Sequence, residues 1–160
     1  MSDAPPIVNL DDIPLDDFGH GEKFAARLGR IGRTLGMQKM GCGLVVLAPG
    51  KRAWPFHGHY AQEEAFIILA GRGMIRYADG EFPVRTGDVI FTPPGPDRAH
   101  QIVNDSDAEL KYLALSTNDS PEICYYPDSQ KTGAFHVTEK GFAGFMSRDG
   151  ELADYWDGED

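Results

Sequence analysis

The chain has 160 residues, 25 of them acidic and 15 basic, and a formal net charge of −10. That balance argues against a nucleic-acid partner or an anionic membrane surface, because both select a cationic face. An apolar fraction of 41% over one domain's length allows a sizeable core, and 19 glycines and 11 prolines suit a fold with many turns.

Residues 1–20 are acidic and proline-containing and read as an N-terminal arm. They show neither the basic start nor the apolar centre of a signal peptide, and no apolar run is long enough to cross a membrane. A cytoplasmic location is the default expectation. Residues 22–36, EKFAARLGRIGRTLG, fit a short helix weakened by its glycines, or a strand that closes one end of a barrel. From Gly43 onward short strands follow one another: GLVVLA, PFHGHY, EEAFIIL, GMIRYA, EFPVR, DVIFT, HQIVN and ELKYLALS. Ala78-Asp79-Gly80 suits a tight hairpin. Short connections favour antiparallel pairing, and no long helices alternate with the strands. The expected organisation is an arm over 1–20, a β-barrel over 21–130 and an extension over 131–160. The acidic tail, with Tyr155 and Trp156, is expected to be partly disordered or to pack on a neighbour. Two cysteines are too few for a disulfide framework, so Cys42 and Cys124 read as reduced, partly buried thiols.

The most informative stretch is HGHYAQEEAFIILAG, residues 57–71. In an extended segment, residues at i and i+2 share a face, so His57 and His59 lie side by side. The following apolar run is a second strand that can return Glu64 to the same face, with Glu63 pointing the other way. The stretch GDVIFTPPGPDRAHQIVN, residues 87–104, adds a strand, a proline-glycine turn and His100 at the start of another strand. Imidazoles and a carboxylate converging from neighbouring strands suit a divalent first-row metal with positions left open; a closed structural zinc site more often uses cysteines. Asn104 reads as a turn-shaping residue, and Gln101 alternates away from His100.

These two segments resemble the two motifs of the cupin superfamily. His57, His59, Glu64 and Gly71 match the first motif, with Gly50 as its leading glycine. Gly87, Pro93, Gly95, His100 and Asn104 match the second, with two more residues between Gly95 and His100 than the common pattern. The resemblance implies an all-β double-stranded β-helix (a jelly-roll-like barrel). It also implies one divalent transition-metal ion (Zn, Mn, Fe or Ni) held by His57, His59, Glu64 and His100. SPEICYYPDSQK, residues 120–131, is similar to the tail of small stand-alone bacterial cupins labelled sugar-phosphate isomerase or mannose-6-phosphate isomerase-like.

Phe56, Tyr60 and Arg98 flank the motifs and are the expected substrate contacts, with Trp54, Lys51 and Arg52 nearby. His20 and His136 lie outside the motifs and receive no function. No serine-nucleophile elbow, phosphate-binding loop or dinucleotide fingerprint is present, so any chemistry should be the metal's. The expected function is a metal-dependent enzyme acting on a small polar or anionic molecule, with sugar-phosphate isomerase as the candidate activity. The alternatives are a cupin dioxygenase or a non-catalytic small-molecule binder. Unpaired strand edges lead to the expectation of a homodimer.

Overall fold

A computed structural model of the chain describes residues 6–138, 141–148, 151–152 and 154–159. A 3-10 turn at Leu10–Asp12 leads into β1 (Asp16–His20) and β2 (Phe24–Gly29). The helix α1 (Ile31–Leu35) follows, ending on Gly36 in the left-handed conformation. Both alternatives for residues 22–36 are therefore present, strand first and a single short helix after it. Then come β3 (Met40–Leu47), β4 (Gly58–His59), β5 (Glu64–Ala70), β6 (Arg72–Tyr77) and β7 (Gly80–Arg85). The central run closes with β8 (Val89–Thr92), β9 (His100–Val103) and β10 (Leu110–Thr117). Past it lie β11 (Glu122–Tyr126), β12 (Lys131–Thr138), β13 (Gly141–Arg148) and β14 (Glu151–Leu152).

Every strand pairing is antiparallel. One layer runs β1-β2-β3-β10-β5-β8. The other combines β14-β13-β12-β11-β4 with β9-β6-β7, joined by an isolated bridge between His57 and His100. The fold is thus all-β, a double-stranded β-helix. The β6–β7 hairpin turns at Ala78 and Asp79, with Ala78 at φ 51°.

Alternation along the strands sends Val45, Leu47, Phe66, Ile68, Leu110 and Tyr112 inward from the first layer, where they meet Ile75, Val84 and Ile102 of the second. The outer face of the first layer is covered by the N-terminal segment and α1 through Ile13 and Ile31, packed on Leu44. The arm is therefore part of the packing from Ile13, and residues 16–20 extend the sheet. Asn104 is fully buried. Its amide donates to the carbonyls of Leu47 and Ala108, and its oxygen accepts from Ser106. It shapes the turn after β9 and faces no cavity.

The extension doubles back on the same chain. Trp156 stacks on His20 at 4.6 Å and tilts against Phe24 at 5.1 Å. Tyr155 meets Tyr126 edge-on at 5.9 Å. Lys131 is fully buried, with its ammonium 3.0 Å from the Glu159 carboxylate and also donating to the Tyr155 carbonyl. Tyr155 and Trp156 pack within the chain, because a buried ion pair anchors the tail against β12.

Candidate metal centre

Between the layers lies a cavity of about 440 Å³. Two imidazoles enter it because their backbones pair: the His57 N–H donates to the His100 carbonyl at 3.2 Å, and the His100 N–H to that of His57 at 2.7 Å. Residues paired this way across antiparallel strands share a face, and the two rings lie 4.9 Å apart. His59, two residues along, shares the face of His57, with ring centres 5.0 Å apart. Glu64 arrives from the opposite layer at the start of β5. Its Oε2 lies 2.7 Å from His100 Nε2 and 3.3 Å from His59 Nε2. Glu64 thus draws the motif residues together, touching His100 and facing His59. Ligand atoms of His57, His59 and Glu64 all fall within 4.8 Å of one another.

Each imidazole is also held from behind through Nδ1. His57 Nδ1 lies 2.9 Å from the Pro55 carbonyl and His100 Nδ1 3.4 Å from that of Arg98. A carbonyl only accepts, so His57 keeps its proton on Nδ1 and turns the Nε2 lone pair toward the cavity. His59 Nδ1 lies 3.4 Å from Cys124 Sγ and 3.7 Å from the Glu122 carboxylate. His59 Nε2 is buried and makes no hydrogen bond. A buried nitrogen without a partner, facing a carboxylate among other imidazole nitrogens, is what a divalent cation would satisfy.

The charges within the site pull against one another. Burial, reinforced by the neighbouring rings of His100 and His59, lowers the His57 pKa to about 3, so it is a neutral donor. Burial also works against charging His59, but Cys124, Glu122 and Glu64 outweigh it and push it to about 12. For Glu64, burial alone would raise the pKa; the hydrogen bond from His100 and the nearby His59 imidazole prevail and hold it well below the usual carboxylate range.

Glu122 and Cys124 were not singled out from the sequence. Glu122 is buried, and its carboxylate accepts from the backbone N–H groups of Tyr60 (2.9 Å), Ala61 (3.3 Å) and Gln62 (2.8 Å). It therefore holds the turn that carries the chain from His59 to Glu64. Burial opposes its ionisation, but His59 and the amides of Ala61 and Tyr60 keep its pKa lowered. Cys124 pairs with His59 across β11 and β4. His59, Glu122 and Cys124 form a second set of potential ligand atoms within 4.8 Å of one another, on the far side of the His59 ring. Only knowledge of the β4–β11 pairing would have shown them.

Phe56, Tyr60 and Arg98 do not line the cavity. Phe56 is buried on the face opposite His57, under the Arg76 guanidinium at 3.7 Å. Tyr60 is half exposed and leans on Tyr125. Arg98 is exposed, its guanidinium 3.4 Å from the Tyr77 hydroxyl. The reason is common to Phe56 and Tyr60: the immediate neighbour of an inward-facing residue in an extended segment points outward. Trp54 does reach the cavity, and so does Gln101, whose amide donates to the Trp54 carbonyl at 2.8 Å. Five further rings line it: Phe66, Tyr112, Tyr126, Phe135 and Tyr155.

Comparison with known proteins agrees with this architecture. A family model described as a cupin domain matches residues 43–116, which include all four convergent residues. The crystal structure of a sugar phosphate isomerase from a cupin superfamily, from Silicibacter pomeroyi, is 28% identical. It superposes with a TM-score of 0.78, covering 96% of this chain and 99% of that one. An uncharacterized protein of Methanocaldococcus jannaschii is 40% identical over 60 residues, 38% of this chain and 46% of its own. An oxalate-binding protein of Thermotoga maritima is 33% identical over 69 residues, 43% of this chain and 54% of its own. The chain thus spans about half the length of these two curated relatives. No described helix is long and apolar enough to cross a membrane. Residues 43–116 are thus a cupin domain, and over its length the chain is similar to a protein described as a sugar phosphate isomerase from a cupin superfamily.

Proposed function

We propose that this cupin is a metal-dependent enzyme acting on a small molecule, with His57, His59, Glu64 and His100 holding one divalent transition-metal ion. The observation that carries it is the convergence of three imidazoles on the Glu64 carboxylate, with Nδ1 of each ring occupied from behind. The bound ion would supply Lewis acidity toward a ligand oxygen. The chain's own residues orient the ligand and exclude water: Trp54, Tyr126 and Phe135 form the wall, and Glu122 fixes the turn behind His59. Burial above all keeps the Tyr112, Tyr126 and Tyr155 hydroxyls neutral, so they serve as hydrogen-bond donors.

The Silicibacter pomeroyi relative supports isomerisation as the reaction class. A second reading, ligand binding without turnover, is supported by the lining: its two carboxylates, Glu64 and Glu122, are both engaged, leaving no uncommitted base among the described residues. The relative described as an oxalate-binding protein also supports it.

Metal analysis by mass spectrometry on tag-free protein tests the common premise. About one equivalent of zinc, manganese, iron or nickel per chain is expected. No metal after supplementation with all four would overturn it. A panel of sugar phosphates and non-phosphorylated carbonyl compounds then separates the two readings, since isomerisation of any member selects the isomerase.

We also propose that the chain pairs with a second copy through β8. This strand ends the first layer, and its Val89 and Phe91 are exposed. Light scattering should give a dimer for the natural chain and a monomer for Val89→Lys/Phe91→Glu; a monomeric natural chain would refute it.

A further inference from the structure

The charge of the cavity wall has a consequence for the ligand. Apart from the histidines, the charged side chains lining it are Glu64 and Glu122, both carboxylates. No Lys or Arg is among the described lining residues. The nearby cations lie outside the lining. Arg76 forks onto Asp128 at 2.6 and 2.8 Å. Lys51 donates to the Glu22 carbonyl, and Arg52 sits over Phe24 at 5.7 Å. Lys131 lies behind the cavity, 5.7 and 5.8 Å from the Tyr126 and Tyr155 rings, but is held by Glu159. A phosphate dianion requires charge-assisted donors to replace its water, and a metal site already carrying a carboxylate does not supply several of them.

What the wall offers instead is flat apolar area: Trp54, Phe66, Tyr112, Tyr126, Phe135 and Tyr155. Three of these, Tyr126, Phe135 and Tyr155, lie beyond residues 43–116, the part that matches the family model. Half of these rings are thus supplied by a segment that the family match does not reach.

We propose that the cavity takes a non-phosphorylated molecule with a flat, apolar body and an oxygen donor, gripped by the aromatic wall with Phe135 as a specificity-determining residue. This rests on the reading that the cavity is the ligand site; the apolar grip does not require the ion. Rings packed against rings gain buried area and favourable edge-to-face contacts, and the neutral tyrosine hydroxyls can bond the ligand's polar atoms.

The test pairs one body with and without phosphate. 2-Naphthol, 2-naphthyl phosphate and mannose 6-phosphate are titrated calorimetrically into the full chain, once zinc-loaded and once after chelator treatment. 2-Naphthol should bind at least about ten-fold more tightly than either phosphate in both forms, since about 1.4 kcal/mol of unrepaid phosphate desolvation suffices for that ratio. Phe135→Ala should weaken 2-naphthol about ten-fold, as loss of a central aromatic contact does, with zinc stoichiometry unchanged. Phe135→Trp, which narrows the cavity and keeps its apolar character, should reject 2-naphthol while unfolding like the natural chain. Equal or tighter binding of either phosphate, no binding of 2-naphthol, or indifference to both Phe135 variants would overturn the inference. If zinc fails to load while 2-naphthol still binds, the metal assignment fails and this inference stands. If zinc loads and a phosphate wins, the reverse holds.

Discussion

His57, His59, Glu64 and His100 meet on one side of the cavity with ligand-type atoms within hydrogen-bonding reach of Glu64 or one ring away. Beside them Tyr126, stacked on His57 at 5.9 Å, joins Phe135 and Tyr155 in presenting rings. The first wall stands on β4, β5 and β9, central strands paired on both sides or locked by the His57–His100 bridge. The second depends on β12 and on a tail fastened by Lys131 and Glu159. The polar wall costs desolvation and is built where the backbone is most constrained, while the aromatic wall is held at its far end by a buried ion pair. The metal binding and the ligand choice proposed above thus fall on separable parts of the chain.

The largest expected effect tests that separation from the side that carries no chemistry. Lys131→Met leaves the Glu159 carboxylate buried without its ammonium, which costs about 3–5 kcal/mol. Urea denaturation of the metal-free variant should show this loss, and Lys131→Met/Glu159→Leu should recover much of it. Were the single variant as stable as the natural chain, the tail would not be fastened by this pair.

His100→Ala acts on the other wall. It removes the partner that Glu64 meets at 2.7 Å. Metal affinity should fall by at least about 100-fold, the upper end of what losing a mere supporting partner costs. Competition with a chromogenic chelator reads the change, and urea denaturation of the metal-free chain should show a further loss of about 1–3 kcal/mol, because the largely buried Glu64 carboxylate loses its partner.

The two walls also differ in how readable they are from sequence. His57 and His59 declare themselves through the two-residue period of a strand, and Glu64 through its place at the head of an apolar run. His100 requires a second motif and the assumption that the strands fold back. Glu122 and Cys124 enter through the Cys124–His59 register, a pairing across 65 positions that no local pattern encodes. Phe56 and Tyr60 misled because nearness in sequence to a ligand means the opposite face in a strand. Tyr155 and Trp156 gave the opposite difficulty: exposed aromatics in an acidic tail suggest a neighbour, and only the burial of Lys131 brings the tail home.

Glu122→Gln links the two regions, since β11 lies between β4 and the extension. Its carboxylate positions His59 and three backbone amides without lining up as one of the four convergent ligands. Metal affinity should drop about ten-fold, with an unchanged far-ultraviolet spectrum. Stability should respond to acid as well. The folded pKa of Glu122 is lowered, so its contribution is present above the unfolded value of about 4.3 and is lost as pH falls below it. The metal-free glutamine variant should therefore lose less stability between neutral and acid pH than the natural chain.

The smallest effect is expected at Cys124, and it decides between the two sets of ligand atoms. Its sulfur sits 3.4 Å from His59 Nδ1, the nitrogen turned away from Glu64, and so supports the ring from behind. A hydroxyl can take over that contact. Cys124→Ser should leave metal affinity within about three-fold and shift stability by about 1 kcal/mol, the worth of one ordinary hydrogen bond. A loss as large as that of His100→Ala would move the ion to the other side of the ring, into the His59, Glu122 and Cys124 set. A thiolate-to-metal absorption band in cobalt-substituted protein would then appear in the natural chain and vanish in the serine variant. Its absence from the natural chain keeps the ion with Glu64 and leaves Cys124 with the aromatic wall it packs beside, next to Tyr126 and Phe135.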